Sequence, residues 1–268
     1  MALTGINTYI QIGSLEVQRC PEVVVDMQRH RPVSLARIVL NDAPQEAFRS
    51  VSENDAVVIR LGYRGEAPLS WQGTVIRIDG VGDQVVIRAA GAGLALTRKM
   101  VCQSFYEETP EAIASFAIGQ AGLPAGRIDS PGVVFPRFTA SDIPAWQVVR
   151  QCEHTCQKAF GIDMSRWALW VGGDGKVNWG NFEEAGEMPV IATGAGLIRH
   201  LPGATAHPLC LNLVETFLLA GFRPSRRFRL IDTRRDIDDD FQALTVTHRV
   251  TGKTARTFIG YGEEVDKY

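Results

Sequence analysis

The N-terminal third of the chain carries short apolar, β-rich runs separated by turn formers: Thr8–Ile12, Glu16–Cys20, Val23–Met27, Ser34–Leu40 and, most clearly, Ala56–Tyr63 (AVVIRLGY). Ser70–Ile78 and Gln84–Ala89 continue the series, with the turn Asp79-Gly80-Val81-Gly82-Asp83 between them. Alternation along WQGTVIRI puts Trp71, Val75 and Arg77 on one face and Gln72, Thr74, Ile76 and Ile78 on the other. Strands at this spacing, with no helical pattern between them, predict a small antiparallel barrel or sandwich.

The pattern changes near Leu96. Thr109-Pro110-Glu111 predicts a helix start, with a hydroxyl at the N-cap, Pro at the first helical position and an acid at the positive end of the dipole. Ile113, Phe116, Ala117 and Gln120 follow at helical spacing before Gly122–Gly126 ends the run. A second helix is expected from Ser141-Asp142 through Trp146, Val149 and Arg150 to about Phe160, stopping at Gly161. Trp167–Val171, the turn Gly172-Gly173-Asp174-Gly175 and Lys176–Trp179 predict a hairpin. From Pro189 onward Leu209–Ala220, Arg226–Asp232, Ala243–Val250 and Thr254–Tyr261 are again candidate strands, with a turn at Thr251-Gly252-Lys253. The chain is therefore expected to be mainly β: a first barrel over residues 1–96, a mixed α/β insert over 97–187, and a second barrel over 188–268.

Composition narrows the classes of function. With 28 basic and 30 acidic residues, 45% hydrophobic and 22% charged, this is ordinary globular composition and not that of a dedicated binder of nucleic acid or membrane surfaces. The opening MALTGINTYIQIG has no positive n-region, so folding is expected to begin in a cytoplasm. No segment has the roughly 20 apolar residues a spanning helix needs; the most apolar, Leu209–Phe222, contains Asn212 and Glu215. Five scattered cysteines, Cys20, Cys102, Cys152, Cys156 and Cys210, fit reduced thiols. Only five residues are Lys, so 23 of the 28 cations are Arg, a bias that fits either codon usage or subunit contacts made by planar guanidinium forks.

Candidate chemistry is sparse. In Cys152-Glu153-His154-Thr155-Cys156 a helix would put both thiols on one face and His154 on another, so these three do not converge on one ion, and no second Cys/His pair has knuckle spacing. AAGAGLAL from Ala89 lacks the dinucleotide fingerprint and a P-loop lysine, which makes it a tight exit from the barrel. The turn at Gly172–Gly175 lacks the alternating oxygens of a calcium loop. No serine is framed as a nucleophile, and His30, His154, His200, His207 and His248 have no recognisable catalytic neighbours. The acids Asp236, Asp238, Asp239 and Asp240 read as a solvated loop after Arg234-Arg235. No catalytic, cofactor-binding or metal residue is assigned.

The order of elements, with DAVVIRLG at Asp55–Gly62, WQGTV at Trp71–Val75, RFRLID at Arg227–Asp232, ALTVTHRV at Ala243–Val250 and TARTFI at Thr254–Ile259, resembles the phage tail hub proteins. That group covers the late-control protein D family, the baseplate hub of Mu-like phages and the hub portion of type VI secretion spike proteins. The closing trio is similar to its pattern of a strand, then Val-x-His, then a threonine-bearing final strand; where that pattern has Pro-Gly, this chain has Pro224-Ser225. The resemblance implies two tail-tube-like antiparallel β-barrels and a non-enzymatic homotrimer in the virion, made in the host cytoplasm. Such a trimer joins a hexameric tail tube or distal tail protein to a separate trimeric spike or tip, touches other baseplate proteins through the insert, and leaves a channel for tape-measure protein and DNA. Arg226, Arg227, Arg229, Arg234 and Arg235 are its candidate subunit contacts. Two other classes stay open: an enzyme, either a cell-wall hydrolase or a metal protein using Cys152, His154 and Cys156, and a β-barrel module for sugar or single-stranded nucleic acid presenting Trp71, Trp167, Trp170 and Trp179.

Overall fold

A computed structural model describes residues 5–17, 20–43, 45–63, 69–203 and 210–262. The first strands are β1 (Ile6–Ile12), β2 (Leu15–Val17), β3 (Glu22–Gln28), β4 (Leu35–Asn41), β5 (Ala56–Tyr63), β6 (Leu69–Val81) and β7 (Gln84–Gly91), with a one-turn helix α1 (Glu46–Ser50) before β5. There follow α2 (Leu94–Arg98), β8 (Met100–Glu108), α3 (Pro110–Gln120), β9 (Ala125–Ile128), β10 (Phe135–Pro144), α4 (Ala145–Phe160), β11 (Ala168–Val171) and β12 (Val177–Gly180). The last group is β13 (Val190–Thr193), β14 (Gly196–Leu201), β15 (Asn212–Phe217), β16 (Arg227–Asp232), β17 (Ile237–Gln242), β18 (Thr245–Thr251) and β19 (Ala255–Tyr261). Of the expected strands, residues 18–19 of Glu16–Cys20 and Leu209 lie outside the described residues, as does His207.

The chain divides into two compact units. One combines the residues up to Gln28, Ser34–Gly91 and everything from Glu183; the other combines Arg29–Val33 with Ala92–Phe182. In the first unit the two strand-rich ends, expected as two barrels, form a single sheet in the order β17-β16-β13-β14-β15-β19-β18-β3-β4-β7-β6-β5-β1-β2. Each end supplies seven strands, and β18 joins β3 antiparallel from Thr245↔Gln28 to Thr251↔Glu22. Among the described residues the pairings close neither half into a ring; β2 and β17 are free edges of the order. The inward side chains of both halves, from Ile10, Val25, Ile38, Ile59 and Ile87 to Val214, Leu230, Val246 and Ile259, belong to one hydrophobic core.

Period-two alternation accounts for most of this sheet, since β3 (EVVVDMQ) buries Val23, Val25 and Met27 and turns Glu22, Val24, Asp26 and Gln28 outward. In β6 the alternation is broken. Val75 pairs with Ala89 but Arg77 pairs with Arg88, so Ile76 is an extra residue, a β-bulge. The bulge corrects the expectation that Arg77 shares a face with Trp71 and Val75: those two are buried, Arg77 is exposed, and Ile78 turns toward the core. Gly73 is required beside them, because a Cβ there would lie 2.4 Å from both the Ala90 carbonyl oxygen and the Trp71 ring. The Trp71 indole N–H, packed across the glycine, donates to Ser34 Oγ at 2.9 Å.

The acidic run is also not a loop. Asp238, Asp239 and Asp240 form β17 against β16, because the arginines of β16 supply the opposite charge across the ladder. Acids on an edge strand also discourage further pairing. At Ser225, where the resembling pattern has Gly, φ is +73° with the residue fully buried, and its Oγ finds no hydrogen-bond partner among the described residues.

The second unit packs α3 and α4 with the ribbon β8–β10 and the sheet β11-β12-β9 around its own core of Leu96, Ile113, Phe135, Val149, Met164 and Trp179. The α3 start is as read: Thr109 Oγ1 accepts from the Ala112 N–H at 3.3 Å. The second helix begins later than expected, at Ala145; Ser141 and Asp142 form a bulge within β10, between the paired Ala140 and Ile143, with Asp142 at φ +53°. It stops at Gly161, whose left-handed φ of +68° allows the Schellman-type bond from Ile162 N–H to Cys156 O. Gly93 sits where a Cβ would collide with the Pro32 carbonyl at 1.8 Å, so the glycines after Ala89 serve the tight exit. Arg29 is buried here, donating to the Phe182 and Arg166 carbonyls at 3.1 Å each, with its guanidinium 4.8 Å from the Trp170 ring centre.

Candidate functional site

The candidate subunit contacts of β16 are drawn largely into the chain's own acids. Arg229 holds Asp238 at 2.8 Å, and Arg227 lies 3.6 Å from Glu183 and 3.7 Å from Asp240. Arg226 approaches Glu184 at 4.0 Å, its guanidinium so close to Gly186 that a Cβ there would be 2.8 Å away. In the turn after β16, Arg235 donates to Asp232 at 3.0 Å, while Arg234 is exposed and engages Asp232 through its backbone N–H at 3.1 Å.

A second set of arginines escaped sequence reasoning because only register reveals it. Arg77 pairs with Arg88, Arg88 with Arg37, Arg37 with Val24, Val24 with Arg249, Arg249 with Arg256, and Arg256 with Phe217. One continuous row thus crosses β6, β7, β4, β3, β18, β19 and β15 on the outer face, over the junction of the halves. Its signal in the sequence is one Arg on the polar face of each of five strands; the β6 bulge brings Arg77 into line.

Flanking carboxylates tie the row down. Glu22 on β3 binds Arg37 on one side and, at 2.6 Å, Arg249 on the other. Burial pushes the Glu22 carboxyl pKa up, but hydrogen bonds and charge from both arginines outweigh this and hold it below its ordinary value. Asp79 takes Arg77 at 2.7 Å with Arg88 at 3.9 Å, and Glu215 takes Arg199 at 3.2 Å with Arg256 at 3.7 Å. Asp26 accepts from Thr247 across the junction at 2.8 Å.

The buried polar groups of the later strands form two clusters. His248 Nε2 lies 2.9 Å from the Phe222 carbonyl, which can only accept, so Nε2 carries the proton and Nδ1 accepts from Thr257 Oγ1 at 3.0 Å. Thr257 Oγ1 in turn accepts the Leu219 N–H at 2.9 Å. The Val-x-His and the threonine of the closing strands are therefore bonded to each other. Burial drives the His248 pKa down to about 4, Arg223 adding to the effect and the Phe222 bond opposing it.

In the other cluster Tyr261 donates to His200 Nε2 at 2.7 Å, His200 Nδ1 donates to Asp232 at 2.8 Å, and Asp232 also takes Arg235. Burial raises the Asp232 pKa, but the bonds from His200, Arg235 and the Arg234 N–H prevail and hold it low; burial, with the Asp232 charge, pushes Tyr261 up to about 12. Hydroxyl, imidazole and carboxylate stand in the order of a nucleophile relay, but the His200 and Asp232 side chains are each 1% exposed and the hydroxyl is a buried phenol. The geometry clamps β14, β16 and β19 together and presents no nucleophile to solvent.

Helical spacing places the second unit's candidates as read: Cys152 and Cys156 point into the core and His154 is exposed. Burial raises both thiols, Cys156 to about 11, so neither is a ready thiolate. Between them Glu153, which sequence reasoning did not single out, is buried and accepts from Trp179 Nε1 at 2.9 Å and Arg150 at 2.6 Å. Among the described residues no three His, Cys, Asp or Glu side chains gather as a cation site. Trp71, Trp167, Trp170 and Trp179 are all buried, so none offers a stacking face.

No family model matches the chain, and no curated protein matches it by sequence. Solved structures do match it by shape. A 43 kDa tail protein of prophage MuSo2 from Shewanella oneidensis has a TM-score of 0.72 at 8% identity, covering 97% of each chain. A tail protein from Neisseria meningitidis has a TM-score of 0.66 at 9% identity, again over 97% of each chain. A component of the Escherichia coli type VI secretion system, described as similar in structure to T4 bacteriophage tail proteins, has a TM-score of 0.62 at 9% identity over 97% of this chain and 78% of that one. Correspondence over nearly the whole chain gives this protein the fold of these tail and type VI secretion proteins.

Proposed function

We propose that the protein is a structural hub of a phage tail tip or baseplate, a homotrimer in the virion that joins a hexameric tail tube or distal tail protein to a separate trimeric spike or tip. The observation that carries this reading is the division of one sheet into two seven-stranded halves sharing a core, in a fold that matches tail proteins over nearly the whole chain. Three copies of a doubled unit offer six similar units to a sixfold tube while keeping threefold symmetry toward a tip. A ring of this kind leaves a channel for tape-measure protein and DNA.

In this reading the β16–β17 edge, with Arg226, Arg227 and Arg229 and with Arg234 and Arg235 in its turn, meets the neighbouring subunit, and the α/β unit meets other baseplate proteins. The reading assigns no catalysis. Light scattering for molar mass, with negative-stain images, tests it: a trimeric ring with a central hole is expected, and a monomer at all concentrations overturns it.

A further inference from the structure

The arginine row has the geometry of a contact for a linear polyanion. Arg77 and Arg256 lie five inter-strand steps apart, so at the usual spacing the row runs about 24 Å along the sheet. The side chains of Arg37, Arg88, Arg77 and Arg249 are 46, 52, 62 and 53% exposed and that of Arg256, at the end of the row, 27%, whereas Glu22, Asp79 and Glu215 are only 16, 25 and 17% exposed. The carboxylates lie low against the sheet and the guanidinium heads form the outer layer. Counting Arg199, the described residues of this face hold six arginines and four carboxylates (Glu22, Asp79, Glu215 and Asp26), an excess of two positive charges among them.

We propose that this row contacts the phosphate backbone of duplex DNA. The proposal deepens the hub reading, from which it takes DNA as the phosphate source. A duplex lays roughly fourteen phosphates along 24 Å of its axis, a line of charge to match a line of cations interrupted only at Val24. A folded protein partner would have to present its acids in a straight line to do the same. Guanidinium binds phosphate without reading sequence, as a conduit requires. Because each arginine of the row already shares a carboxylate, the contact is shallow and readily reversed, which suits a molecule that must move past.

Fluorescence anisotropy of the full-length protein with a labelled 24-base-pair duplex, from 25 to 200 mM KCl, tests the proposal. Binding is expected at 25 mM, with log K falling against log salt at a slope of about −2 to −3. The variant Arg37→Gln/Arg88→Gln/Arg249→Gln is expected to bring that slope close to zero and to weaken binding at least about tenfold at low salt. Asp79→Asn, which adds net positive charge at one end of the row, is expected to tighten it severalfold. Circular dichroism and thermal unfolding establish that both variants fold. No binding at 25 mM, or a triple variant that binds like the parent, overturns the proposal. So does poly-L-glutamate that competes as well as duplex and loses its binding in the same variant, since the row then serves an acidic protein. A monomeric chain that still binds duplex through the row would sink the hub reading and leave this contact standing.

Discussion

The seven strands from β2 to β3 and the seven from β18 to β17 are equal in number and joined edge to edge, yet their interiors differ. The first interior is nearly all aliphatic: Ile10, Ile12, Val23, Val25, Ile38, Val57, Ile59, Leu61, Val85 and Ile87, with the Trp71 N–H inside it and, at its margin, the buried Asp42 carboxylate, which takes the Ala47 and Phe48 N–H groups of α1. The second buries His200, Asp232, Tyr261, His248 and Thr257 among its apolar side chains. An aliphatic core is held by non-directional burial and tolerates changes of shape that keep volume. A polar cluster is satisfied only when donors and acceptors from several strands meet, so it selects one geometry and penalises others. In the second half β15 and β16 follow each other in the chain but are separated in the sheet by β14 and β13, and there the two clusters hold what aliphatic packing alone would leave under-specified.

That contrast is open to direct test. Asp232→Ala should have the largest effect, about 3 kcal/mol lost in urea unfolding, because it leaves Arg235 and the sealed His200–Tyr261 pair without their acceptor. Equal losses from Asp232→Ala and a surface Asp→Ala would erase the distinction. Acid should come next. The folded pKa of His248 is about 4, below its ordinary value near 6.5, so its contribution is complete above pH 6.5 and lost as pH falls toward 4, up to about 3 kcal/mol. His248→Gln should flatten that part of a stability-versus-pH curve. In the first half, Ile38→Val should cost only about 1 kcal/mol and show no added pH dependence. Smallest, and opposite in sign, Ser225→Gly should raise stability by roughly 1 kcal/mol by relieving a left-handed backbone and removing a buried hydroxyl that lacks a partner. A lower melting temperature for that variant would show the serine to be making a bond of its own.

Much of the fold is legible in local chemistry. Thr109-Pro110, the αL Gly161 and the run Ala56–Tyr63 each carry their own signal and lie where expected. The errors share a cause, a partner distant in sequence. Ile76 is extra only relative to β7; the acids of β17 are a strand only because Arg227 and Arg229 lie opposite; and Ser141-Asp142, a reasonable helix cap in isolation, is claimed by pairing with β8. The same holds for the sites. Five strands each showed one arginine, but their alignment, like the His200–Asp232–Tyr261 cluster, depends on register that no window of the sequence contains. The resembling motifs, Trp71-Gln72-Gly73 and Val246-Thr247-His248, prove to be structural: one makes room for an indole, the other ties a histidine to Thr257.

The joint between β3 and β18 also sets an order of events during synthesis. Asp26 and Thr247, hydrogen-bonded across it, are 221 residues apart in the chain, so the edge of β3 that faces away from β4 must wait for nearly everything else to be made. Until then its Val23-Val24-Val25 edge is an unpaired, β-prone ribbon of the kind that recruits other chains. Glu22 and Asp26, which later fasten the joint, are the charges that guard this edge while it waits, so the same two carboxylates serve the nascent chain as well as the finished sheet.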